Sequence, residues 1–299
     1  MPSRYALAIA ALVACGCKGV ERQAAAQPVI TTTLTSTDTV VLVGAGDIAD
    51  CELDGDEQTA ALLDHLPGTV FTAGDNAYSD GSAGEFSSCY SPSWGRFRSR
   101  TRPAPGNHDY KSSNAAPYFS YYGASAGPPG LGYYSYNLGA WHILSLNSEI
   151  SMKRGSPQDR WLRADLAATK SKCTLAYWHS PRFSSGTEHG SDKSTEPLWQ
   201  ALYDNGADVV IAGHEHNYER FAPQTPTGQA DPDHGIREFV AGTGGADHYE
   251  FGPPIANSEV RNGNTWGVLK LTLAPGSYRW QFIPVAGKTF TDSGSARCN

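Results

Sequence analysis

The chain has 299 residues, with 23 Lys and Arg against 30 Asp and Glu, a formal net charge of −7 and 39% hydrophobic residues. That balance argues against nonspecific nucleic-acid binding, which needs a basic face, and the length leaves room for an ample core. The 32 Gly and 19 Pro suit a loop-rich α/β or β-rich globule rather than a helical bundle.

In chain order, the first residues read as a targeting segment. Arg4 supplies a positive charge, and Tyr5 to Ala14 is an apolar run too short to span a bilayer as a helix. It ends in Leu12-Val13-Ala14-Cys15, which resembles the lipobox of bacterial lipoproteins. The expectation is a signal peptide over residues 1–14, a lipidated Cys15, and a flexible Ala-, Gln- and Thr-rich tether over residues 15–39. The protein is then exported, lies in a bacterial cell envelope, and meets the membrane through its lipid alone. Residues 40–299 form the folded catalytic part. Of the cysteines there, Cys51, Cys89, Cys173 and Cys298 suggest two disulfides in an exported chain. Three pairings are open; we expect Cys51 with Cys89, and Cys173 with Cys298.

Val40 to Val43 reads as the first strand, Glu57 to Leu66 as a helix and Thr69 to Ala73 as the second strand. Gly81 to Arg100 reads as a loop with a short helix near Trp94 to Ser99. Ala115 to Gly132 is rich in Tyr and Gly and serves either as core packing or as a pocket rim. Tyr133 to Asn137 and Trp141 to Leu146 form a hairpin. Ser156-Pro157 opens a helix to about Lys170, with Ser at the N-cap and Pro at the first helical position. Cys173 to Trp178 and Ala207 to Ala212 are strands, with a helix from Glu196 to Asn205 between them. Ile236 to Ala241, Gly267 to Leu273 and Tyr278 to Pro284 complete the β structure.

Five of these segments deliver a ligand-type side chain at a strand's carboxyl end, where open α/β sheets build their sites. Val40 to Val43 leads to Asp47. Thr69 to Ala73 leads to Asp75 and Tyr78. Arg102 to Pro105 leads to Asn107 and His108. Cys173 to Trp178 leads to His179. Ala207 to Ala212 leads to His214 and His216. Asp47, Asp75, Tyr78, Asn107, His179, His214 and His216 are too many donors for one ion and suit two that share a bridge. Asp75 is the natural bridge, since a carboxylate has two oxygens. Two decoys fail on context. Gly44-Ala45-Gly46 lacks the helix that a dinucleotide site needs, and the acidic run Asp50 to Asp56 lacks the bidentate Glu of a calcium loop.

These blocks resemble the calcineurin-like metallophosphoesterases and, within them, the purple acid phosphatases. The family's G-D-x-G, G-D-x-x-Y, G-N-H-[DE], V-x-x-H and G-H-x-H appear as Gly46-Asp47-Ile48-Ala49, Gly74-Asp75-Asn76-Ala77-Tyr78, Gly106-Asn107-His108-Asp109, Ala176-Tyr177-Trp178-His179 and Gly213-His214-Glu215-His216. Ala49 and Ala176 depart from the pattern; neither is a ligand type. The resemblance implies a four-layer α/β/β/α sandwich of two mixed sheets, with a dimetal site at the strand carboxyl ends. It implies Fe³⁺ on Asp47, Tyr78 and His216, and Fe²⁺, Zn²⁺ or Mn²⁺ on Asn107, His179 and His214, with Asp75 shared. Hard anionic donors suit the trivalent ion, and imidazoles with an amide suit the divalent one.

The implied reaction is hydrolysis of small phosphate monoesters by a hydroxide that the metal pair activates. His108 is the expected general acid and a phosphate contact, with Asp109 orienting it. His189, on a Gly- and Ser-rich loop, is expected to bind substrate and assist catalysis, and Asn76 to contact phosphate. A phosphodiesterase or nucleotidase on the same site is the alternative. A surface metal-binding protein without catalysis is a third reading, against which the intact His108 argues. Acyl hydrolysis by a serine triad lacks the G-x-S-x-G elbow. Oligomeric state stays open.

Overall fold

A computed structural model describes residues 39–299. The signal segment, Cys15 and the tether up to residue 38 lie outside the described residues. Among the described residues, no helix is long and apolar enough to cross a membrane.

The chain runs β1 (Val40–Ala45), α1 (Gly55–Leu63), β2 (Thr69–Ala73), α2 (Ala83–Glu85), β3 (Thr101–Ala104), α3 (Asn107–Lys111), α4 (Ala116–Tyr122), β4 (Tyr134–Leu138), β5 (Trp141–Ser145), α5 (Pro157–Ala168) and β6 (Cys173–Tyr177). It continues through α6 (Glu196–Asp204), β7 (Val209–Ala212), β8 (Tyr218–Phe221), β9 (Arg237–Ala241), β10 (Ser258–Asn262), β11 (Gly267–Ala274), β12 (Ser277–Pro284) and β13 (Ser293–Arg297). One mixed sheet has the order β13-β12-β11-β1-β2-β3 and the other β10-β8-β9-β7-β6-β5-β4. Within them β1, β2 and β3 are parallel, as are β5, β6, β7 and β9.

Burial explains the layering. Leu42, Phe71, Trp141, Leu175, Phe239 and Leu271 come from both sheets and share one core between them. Leu162 and Leu166 of α5 pack with Leu198 and Leu202 of α6 on the outer face of the seven-stranded sheet. Ala60, Leu63, Phe86, Trp94, Tyr118 and Tyr122 cover the outer face of the other. The result is the α/β/β/α sandwich expected from the resemblance. Parallel strands covered on both faces read as near-continuous apolar runs, which is why β1, β6 and β7 stand out in the sequence. Helix α5 begins where the cap predicts: the Ser156 side chain accepts the Asp159 N–H, and Pro157 follows at the first turn.

Two regions differ from expectation, and a third takes one of the two roles left open for it. Residues 81–100 are not mainly loop but hold α2, a π turn at Phe86–Tyr90 and a 3₁₀ segment at Trp94–Arg100. Of the two roles open to residues 115–132, Tyr118 and Tyr122 take core packing: both are buried, and Tyr122 packs against Phe86, Tyr90 and Tyr118. Strands β8, β10 and β13 carry no apolar run, and their pairing partners define them. The disulfides are Cys51–Cys89 and Cys173–Cys298, with Cα separations of 5.3 and 5.4 Å.

Candidate metal centre

The carboxyl ends of β1, β2, β3, β6 and β7 converge, and the seven predicted donors come together there. Their backbone is set by steric necessity. Gly74 has φ of +82°, and a Cβ on it would overlap the His179 ring. A Cβ on Gly106 would overlap the Asp75 carboxyl. Asp47, Asp75 and His214 sit at φ of 59°, 48° and 70°. Left-handed backbone at three non-glycine positions costs on the order of 1–3 kcal/mol each and marks a site held by its surroundings.

Two donor shells meet at one oxygen. In the first, the Tyr78 hydroxyl lies 3.0 Å from Asp47 Oδ1, 3.1 Å from His216 Nε2 and 3.1 Å from Asp75 Oδ2. In the second, His179 Nε2 lies 2.9 Å from Asn107 Oδ1, 3.0 Å from His214 Nδ1 and 3.1 Å from Asp75 Oδ2. Asp75 Oδ2 therefore faces both. Its other oxygen is already committed, accepting the His108 N–H at 2.8 Å. Of the two oxygens that the sequence offered, Oδ2 is the one lying between the two donor shells.

The tautomers follow from the partners. A backbone carbonyl can only accept, so the Ala73 carbonyl at 2.9 Å places a proton of His179 on Nδ1, and in the neutral ring Nε2 is then the lone pair. The Asp247 carbonyl at 2.8 Å and carboxylate at 3.0 Å do the same for His216. Lone pairs of His179 and His216 then point at Asn107, Asp75 and Asp47 oxygens, which are acceptors as well. With both rings neutral, acceptors face acceptors in a buried space, a conflict that protons or metal ions relieve, and the donor set fits two metal ions.

The electrostatics agree. Against its burial, the charges of Asp75 and Asp47 lift His179 to about 10. His216 rises to about 9, its burial outweighed by hydrogen bonds to Asp247 and Asp47. Burial and the neighbouring His179 and His189 hold His214 far below its usual value. Burial, then Asp47 and Asp75, push the Tyr78 phenol well above its usual range. Without metal, the centre draws protons to the positions where ionic charge belongs.

Of the remaining predicted residues, His108 lies at the rim. The Ser79 carbonyl accepts from Nδ1 at 2.6 Å, and Nε2 is 4.0 Å from Asp75 Oδ2. Its ring packs on Tyr78 with centroids 4.5 Å apart. His189 is exposed and stacks on the His214 ring at 3.9 Å. Asp109 does not orient His108. It is buried, and its Oδ2 accepts the Gly106 N–H and the Asn76 side-chain amide, both at 2.9 Å. Burial and the Asp75 charge raise its carboxyl to about 7. Asn76 does not reach outward either. It is fully buried, its amide donating to Ala104 and Asp109 and its oxygen accepting from Tyr122. Every hydrogen-bonding group of that side chain is used inside, so it has none for phosphate.

Asp247 and Tyr249 were missed. Tyr249 stacks on His216 at 3.9 Å and meets the His189 ring at 5.7 Å. Their signal was present: β9 leads into Gly242-Thr243-Gly244-Gly245, the same strand-then-glycine pattern that marks most of the ligand segments.

The comparisons agree with this geometry. Residues 37–218 match the calcineurin-like phosphoesterase family. Purple acid phosphatase 15 of Arabidopsis thaliana is 30% identical over 195 residues, which is 53% of this chain and 37% of that protein. Purple acid phosphatase 22 of the same plant is 27% identical over 242 residues, 70% of this chain and 53% of that protein. The chain thus spans about a third to a half of the length of these curated relatives. The solved purple acid phosphatase from yellow lupin seeds superposes with a TM-score of 0.71 at 19% identity, covering 87% of this chain and 54% of the other. On its sequence match and its fold, the chain belongs to the calcineurin-like phosphoesterase family, with purple acid phosphatases among its relatives.

Proposed function

We propose that this protein hydrolyses small phosphate monoesters at a two-ion centre. The observation that carries the reading is Asp75 Oδ2, which lies 3.1 Å from both Tyr78 Oη and His179 Nε2, at the junction of two donor shells. Asp47, Tyr78 and His216 would hold Fe³⁺; Asn107, His179 and His214 would hold Fe²⁺, Zn²⁺ or Mn²⁺. Bound ions would polarise the phosphoryl oxygens and lower the pKa of water.

The chain's own groups do the rest. The Ser79 carbonyl fixes the His108 ring so that Nε2 faces the centre. From there an imidazolium can bind a phosphate oxygen and pass its proton to the leaving alcohol. His189, stacked on His214 and open to solvent, meets the ester as it enters. Tyr249 walls the same entrance. Two disulfides support a location outside the reducing cytosol. Export through residues 1–14 and lipid attachment at Cys15 belong to the same proposal.

The test is the visible absorption spectrum and metal content of the purified protein beside Tyr78→Phe, with rates on p-nitrophenyl phosphate and on its bis diester. A tyrosinate on Fe³⁺ gives a purple charge-transfer band that Tyr78→Phe loses while iron stays. A colourless protein holding two divalent ions and preferring the diester would sink the monoesterase reading.

A further inference from the structure

One residue of the Gly213-His214-Glu215-His216 motif has no place in either donor shell. Glu215 lies between two ligand-type histidines, yet its side chain is fully buried and turned away from them. Its Oε1 accepts the backbone N–H of His189 at 2.7 Å and the backbone N–H of Gly190 beside it. Gly186 of the same loop presses against the carboxyl, where a Cβ would overlap both oxygens. The loop is fixed elsewhere by other groups. The Ser185 N–H and hydroxyl donate to Glu219, and Ser185 and Thr187 pair with Gly252 and Glu250. Among the described residues, Glu215 alone takes the two amides at the His189 end.

We propose that Glu215 is the positioning residue that seats the His189 imidazole at the entrance of the centre. This rests on the phosphomonoesterase reading, in which His189 meets substrate. The physical case is one of constraint. Gly186 and Gly190 give the loop more backbone freedom than other residues would. An acceptor buried beneath it withdraws that freedom. Because Glu215 belongs to the same turn as His214 and His216, it ties the His189 loop to the segment that carries the ligands. The ring of His189 can then lie flat on His214 at 3.9 Å. A glutamine keeps an oxygen at the same reach, so the latch needs an acceptor rather than a charge.

The experiment compares the full protein with Glu215→Ala, Glu215→Gln, His189→Ala and the Glu215→Ala/His189→Ala double variant. Hydrogen exchange at the His189 and Gly190 amides reads the latch without any reaction. It should quicken at least about tenfold in Glu215→Ala, the scale of one lost hydrogen bond, and return towards wild type in Glu215→Gln. With p-nitrophenyl phosphate as probe, Glu215→Ala should raise KM about tenfold with kcat and metal content little changed. The double variant should be no worse than His189→Ala, because both act through one ring. Unchanged exchange overturns the latch. Faster exchange with additive losses overturns the positioning role and leaves Glu215 as a fold contact. If His189→Ala leaves KM unaltered, it is the substrate role of His189 that has failed, and the positioning role falls with it. The exchange result still separates that outcome from an absent latch.

Discussion

The two donor shells are built by the same device and end up unlike. The Asp47–Tyr78–His216 shell is anionic and closed, with Asp47 0%, His216 3% and Tyr78 6% exposed. The Asn107–His179–His214 shell offers an amide and two imidazoles but no anionic side chain of its own, and Asn107 and His214 stay partly open. The groups that orient the histidines differ too. His179 leans on the backbone carbonyl of Ala73, whereas His216 leans on Asp247, whose side chain is 67% exposed. Position comes from strand ends and hardness from side-chain choice. A closed anionic shell favours a trivalent ion held tightly, and an open neutral one favours a divalent ion that exchanges.

The largest effect should come from the atom the shells share. Asp75→Asn removes the charge facing both at once. We expect both ions to be weakened and kcat/KM to fall by more than about 100-fold, beyond the 10–100-fold typical of outer-shell changes. If one ion stays at full occupancy, Asp75 Oδ2 belongs to one shell only.

Metal removal probes the asymmetry directly. A dilute chelator should extract one equivalent first, from the open shell, and activity should vanish while the visible band persists. Re-adding Zn²⁺ or Mn²⁺ should restore turnover. Band and activity lost in step would erase the distinction between closed and open.

Asp247→Ala is a smaller perturbation of the closed shell alone. It takes a carboxylate from His216 Nδ1 but leaves the Asp247 backbone carbonyl in place at 2.8 Å. Affinity for the closed-shell ion should drop about tenfold, the low end of the outer-shell range, with the open-shell ion untouched. Isothermal titration of each metal separates the two.

Much of this was legible in the sequence, and the reason is local. Each ligand segment follows a short strand, and in four of the five a glycine comes just before the ligand. That grammar singled out the seven side chains that the fold brings together and, through the resemblance, the four layers. What it could not place was anything decided by partners far along the chain. Asn76 and Asp109 sit inside ligand blocks, yet they bond each other across 33 positions and Asn76 also reaches Ala104 and Tyr122, and only the folded core shows that these are inward. Asp247 follows the same strand-then-glycine pattern, but its partner His216 lies 31 residues earlier and only the fold brings the two together. Strand β13, Ser-Gly-Ser-Ala-Arg, has no periodicity of its own and exists because β12 offers an edge.

The smallest prediction tests that inward network. Tyr122 Oη donates to Asn76 Oδ1 at 2.9 Å, both groups buried. Tyr122→Phe deletes the donor and strands the acceptor, a loss of about 1–3 kcal/mol. For a protein of this size that lowers Tm by a few degrees, about 2–4 °C per kcal/mol. Metal content and the KM for p-nitrophenyl phosphate should not move, because the Asn76 amide still holds Asp109, and Asp109 still holds Gly106 under Asp75. A raised KM with unchanged Tm would mean that Asn76 is free to meet substrate, as the sequence suggested. A lowered Tm with lost metal would mean that the network reaches the ligands through Gly106, so that scaffold and shell cannot be perturbed separately at this point.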